Sequence, residues 1–111
     1  MGQLDVAKLV ELLAVTQQNY RDLKPIATVE PGHPVSSGVY TRLLGLQTAA
    51  QQLLGSLPEG LIPDLKRLTE GHWEVPARES ALMWLGALHA YLMAKLPPQE
   101  EQARNRYGIS S

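Results

Sequence analysis

Three stretches of the chain space their apolar residues as helices do, and they differ in how much of the circumference is apolar. In the first, Leu4, Ala7, Leu9, Val10, Leu12, Leu13, Val15 and Tyr20 predict a helix from about Asp5 to Leu23. Asp5 is placed to accept from the first free amides. Lys8, Glu11, Gln18, Arg21 and Asp22 form its polar face, with Lys8 and Glu11 spaced to interact. Leu4, Val6, Ala7, Leu9, Val10, Leu12, Leu13 and Val15 make an apolar arc wider than one core contact uses. A second neighbour is expected on that helix: a symmetry mate meeting Val6 and Val10, or the following loop folding back through Ile26, Val29 and Val35.

The second stretch begins after Ser36-Ser37, either of which can cap a helix running to about Ser56. Val39, Tyr40, Leu43, Leu44, Leu46, Ala50, Leu53, Leu54 and Leu57 follow the 3.6-residue period, and Gln47, Gln51 and Gln52 line much of the rest. Gly45 inside this helix costs about 1 kcal/mol against Ala, which predicts a neighbour packed close to it.

The third stretch, residues 81–96, is apolar apart from Gly86, His89 and Lys95. Pro76 suits a first helical position, Glu79 its first turn, Lys95 its last, and Pro97-Pro98 end it. Apolar residues fall on every face, the pattern of a helix surrounded by others. The run is shorter than the ~20 residues of a membrane span and carries His89. An all-α fold follows: a bundle of about four helices around a central helix over residues 80–96.

The connections complete the plan. Residues 24–38 hold Pro25, Pro31, Gly32, His33 and Pro34 and read as an extended loop, longer than the ~2–8 residues usual between bundle helices. Pro58-Glu59-Gly60 is a turn, and Asp64 to Glu70 a short helix that Pro63 opens and Gly71 closes. Residues 1–98 read as a single domain and 99–111 as a polar tail.

Composition sharpens this picture in three places. Phe is absent and aromatics are 5% of 111 residues, a palette for helix packing more than for sheets. A net charge of −1 argues against binding nucleic acid or anionic membrane through bulk charge. The lack of cysteine excludes disulfides, thiolate metal sites and a Cys nucleophile. The start, Met1-Gly2-Gln3-Leu4-Asp5, has no signal-peptide character and Gly2 lacks the context for myristoylation, so a cytoplasmic location is expected.

Candidate chemistry is sparse. His89, alone among ionisable groups in the middle of its helix, is expected to be a neutral core or interface histidine. Trp84 is expected in the core. Trp73, in a connector between His72 and Glu74, is the better candidate for touching a partner. Arg104, Arg106 and Tyr107 place two cations and an aromatic together, a set able to meet RNA phosphate and stack a base. No spacing of His and acidic residues supports a metal site, and no cofactor motif is present.

Arg67 and His72 also stand out, in the run Arg67-Leu68-Thr69-Glu70-Gly71-His72. Their spacing resembles the Arg…His motif of HEPN-type ribonucleases, small helical proteins that often act as dimers. The resemblance covers these two residues, and Gly71 stands between them as a helix stop where the family's motif opens a long helix. It implies RNA binding or cleavage near a bundle interface, with Arg67 and His72 approaching the RNA backbone. The expected function is instead a non-enzymatic interaction module or small subunit of a larger assembly, self-associating or bound to a partner protein.

Overall fold

The computed structural model describes residues 5–58, 62, 65 and 76–96. Its described part is all-helical, with three helices in the order α1 (Val6–Val29), α2 (Ser37–Leu54) and α3 (Arg78–Ala94). The expected helix from Asp64 to Glu70 (apart from Leu65), the stop at Pro97-Pro98 and the tail from 99 lie outside the described residues.

α1 begins as its sequence dictates, with the Asp5 carboxylate accepting from the Lys8 amide at 3.2 Å. It does not end at Leu23. The helix runs through Pro25 to Val29, and the expected loop shrinks to residues 30–36. Pro25 removes one amide donor and crowds the carbonyl four residues back. Here it sits on the exposed side, while Leu23 and Ala27 on either flank are buried. Burial of those two residues holds the helix together across the break. Ile26 and Val29 therefore belong to α1 itself and are exposed, so they do not fold back over its apolar arc.

α2 follows its pattern closely. The Ser36 hydroxyl accepts from the Val39 amide at 3.2 Å, and Gly55, at φ 82°, ends the helix in a conformation that L side chains rarely adopt. Gln47 departs from the polar face assigned to it. It is buried, and its side-chain oxygen accepts the Leu65 amide at 3.0 Å. That bond satisfies a buried donor and fastens the segment carrying Ile62 and Leu65 to α2.

α3 starts at Arg78, two residues later than Pro76 would have it, with Ala77 as a cap that has no side-chain acceptor. The connection between α1 and α2 supplies the missing acceptors. The Arg78 amide donates to the His33 carbonyl at 2.8 Å and the Glu79 amide to the Pro31 carbonyl at 2.9 Å. The Val35 amide returns a bond to the Pro76 carbonyl at 3.0 Å. Two of the four orphan amides of a helix start are thus met by main chain from another part of the fold. The exposed Glu30 carboxylate stands 3.5 Å from the His33 ring nitrogen and 3.9 Å from the half-buried Arg78 guanidinium around this latch, contacts that contribute little.

The core lies mainly between α1 and α3. Along α1, Leu9, Leu13, Thr16, Tyr20, Leu23 and Ala27 repeat in steps of four and three; along α3, Ala81, Leu85, Leu88 and Leu92 do the same. This 3.5-residue repeat is the seam of helices packed nearly along each other. Trp84, 1% exposed, flanks it, and the Tyr20 ring lies 3.6 Å from where a Cβ on Gly86 would stand, an ordinary contact distance. The expectation of a surrounded central helix is not met among the described residues. One face of α3 is open, with Met83 74% exposed and Ala90 and Ala94 also exposed. α1 makes the larger contacts, with both of the others.

Candidate functional site

α1 carries a second stripe beside its seam. Asp5, Lys8, Leu12, Val15 and Asn19 repeat in the same steps, displaced by one residue, or about 100° around the helix. That displacement lets one helix serve two neighbours, and it accounts for Leu12 and Val15 of the apolar arc but not for Val6 and Val10. The second neighbour is α2, whose facing stripe is Arg42, Gly45, Leu46, Ala49 and Leu53.

The two stripes do not close on each other. They leave a trough of about 700 Å³ lined by both helices. The connection of residues 30–36 fixes its direction. Eight Cα steps span at most about 28 Å, less than the ~36 Å length of α1, so α2 must run antiparallel to it. Arg42 therefore lies near Asn19 at one end, and Asp5, Lys8 and Glu11 lie near Gln52 and Leu53 at the other. The floor holds Leu12, Leu46 and Val15, the last 47% exposed.

Shape limits what the trough can hold. Asp5 to Asn19 covers about 20 Å of helix at 1.5 Å per residue. A groove of that length between two helices receives the side-chain ridge of another helix and not its backbone. Gly45 deepens the floor: a Cβ there would meet nothing within 4 Å. The expectation of a close neighbour at Gly45 is thus overturned, because the missing side chain opens space where contact was expected.

The other candidate residues fall as follows. Val6 and Val10 are half-buried; Val10 packs against the core, and neither lines the trough. His89 is 4% exposed on the core side of α3. Arg67, His72, Trp73, Arg104, Arg106 and Tyr107 lie outside the described residues. Among the described residues, no three of His, Cys, Asp and Glu gather as a metal would need, and no helix is long and apolar enough to cross a membrane.

Sequence reasoning named the surplus apolar surface of α1 but missed the opposing wall of α2. The sequence carried little signal for it: the second stripe holds Leu12 and Val15 among the polar Asp5, Lys8 and Asn19, so no apolar repeat marks it. Comparison with models of known families, with curated proteins and with solved structures finds no match.

Proposed function

We propose that this chain is a helical protein-interaction module, a small non-enzymatic subunit whose α1/α2 trough takes the apolar ridge of another helix. The observation that carries this is the trough itself: walls from two helices, an apolar floor and a rim of exposed charges at both ends. A helix laid in such a groove presents residues at i, i+3 or i+4 and i+7, which matches the stripes of both walls. The partner's ridge needs apolar side chains over about four turns, with charges only at its ends.

Site-specific photo-crosslinking tests the reading. A benzophenone amino acid at Ala49, in the trough, should give protein adducts in cells, and Gly45→Leu in the same chain should abolish them. The same label at Arg21, exposed and outside the trough, should give none. Absence of adducts at position 49, or equal yields at both positions, would overturn it.

A further inference from the structure

We infer that the helix the trough accepts is α3 of a second copy of this chain. The inference rests on the trough being a helix-docking site, and three properties of α3 fit it to that role. The first is its open face. Met83 stands out at 74% exposure, Ala90 and Ala94 follow it toward the C-terminus, and no charged residue occurs between Glu79 and Lys95. The second is length: Glu79 to Lys95 spans about 24 Å, close to the ~20 Å of the trough. The small alanines let the two walls approach, and the long, flexible Met83 side chain suits an irregular gap such as the floor at Gly45.

The third property is charge. One end of the trough carries Arg42; the other carries Asp5 and Glu11 against the single cation Lys8. The ridge carries Glu79, exposed, at its start, while Lys95 at the helix end lies about a third of a turn away with its ammonium 5.0 Å from the Tyr91 ring centre. Only one direction matches the ridge's own charge: Glu79 toward Arg42. In that direction α3 runs parallel to α2 of the receiving copy and antiparallel to its α1. The reverse direction sets Glu79 against Asp5 and Glu11, which disfavours it.

Trough and ridge are different surfaces of one molecule, so the contact is heterologous. Each docked copy still offers a free trough or a free ridge, and association continues until a ring closes or a chain grows. One helix ridge about 20 Å long is a small interface, which places association in the weak, concentration-dependent class.

Sedimentation equilibrium of the full chain, from about 5 to about 500 µM, reads the outcome. Wild type should exceed twice the 12.2 kDa monomer mass as concentration rises. Met83→Glu, which spoils the ridge, and Gly45→Leu, which fills the trough, should each remain monomeric. Mixed in equal amounts they should form a 1:1 dimer that grows no further, since one supplies an intact trough and the other an intact ridge. Ala90→Glu and Ala49→Arg repeat the two arms should either first variant lose its helical circular dichroism. Wild type fixed at 12.2 kDa, a Met83→Glu variant that associates like wild type, or a mixture that stays monomeric would each overturn the inference. If wild type is monomeric while position 49 still crosslinks to another protein, the trough reading stands and the second-copy inference falls. Loss of all adducts at 49 removes both.

Discussion

The two flanks of α1 have similar spacing and opposite fates. Toward α3 the stripe of Leu9, Leu13, Thr16, Tyr20, Leu23 and Ala27 meets an equally regular partner, and the seam is buried but for the half-buried Tyr20. Toward α2 the stripe of Asp5, Lys8, Leu12, Val15 and Asn19 meets glycine and alanine at the middle positions, Gly45 and Ala49. Large residues against large residues close a seam; large residues against small ones at the same spacing leave a channel. One helix therefore holds the fold with one side and keeps the other available. The comparison predicts that substitutions on the α3 side read out as stability and those on the α2 side as association.

The largest effect is expected at Trp84. It is 1% exposed beside the seam, so Trp84→Ala should destabilise by about 3–5 kcal/mol, measured by chemical denaturation. A loss under about 1 kcal/mol would mean that the buried seam is not where the stability lies.

Leu13 and Val15 give a matched pair two residues apart on the same helix. Leu13 is fully buried in the seam, and Leu13→Ala should cost about 2–5 kcal/mol. Val15 lies on the trough floor with 47% exposure, and Val15→Ala should cost under about 1 kcal/mol when the protein is dilute. The contrast breaks if the two variants unfold at the same denaturant concentration. Equal losses would mean the trough is closed in solution and Val15 as buried as Leu13.

What was legible in the sequence follows the same divide between local and relative geometry. The Ser36 cap, the period of α2 and the burial of Trp84 depend on residues close together in the chain, and they are found as the pattern predicts. The end of α1 was misread at Pro25, because the penalty of one proline is local while the burial of Leu23 and Ala27 that outweighs it is tertiary. α3 read as surrounded because its open face is built of alanine. Alanine raises apparent hydropathy without demanding a neighbour, and its high helix propensity suits an exposed position equally well. Gln47 read as surface because nothing in the sequence pairs it with the Leu65 amide. The trough depended on how far two helices stand apart, which no single stripe records.

The smallest effect has the opposite sign. Glycine within a helix is destabilising by roughly 0.5–1 kcal/mol against alanine, because its unfolded chain has more freedom to lose. Such a cost is usually kept where a Cβ would clash, yet at Gly45 a Cβ would meet nothing within 4 Å. Packing therefore gives no reason for the glycine, and Gly45→Ala should raise stability by about 0.5–1 kcal/mol, seen as a higher midpoint of thermal or denaturant unfolding. The Gly86→Ala variant is the control. Its Cβ would fall 3.6 Å from the Tyr20 ring in the α1/α3 seam, an ordinary contact, so the same propensity gain is expected there with an added packing contact. If Gly45→Ala instead destabilises while Gly86→Ala does not, position 45 is already covered in the folded protein and the trough is not open. If both stabilise and only the substitution at 45 weakens association, the glycine is kept for the space it leaves and not for the fold.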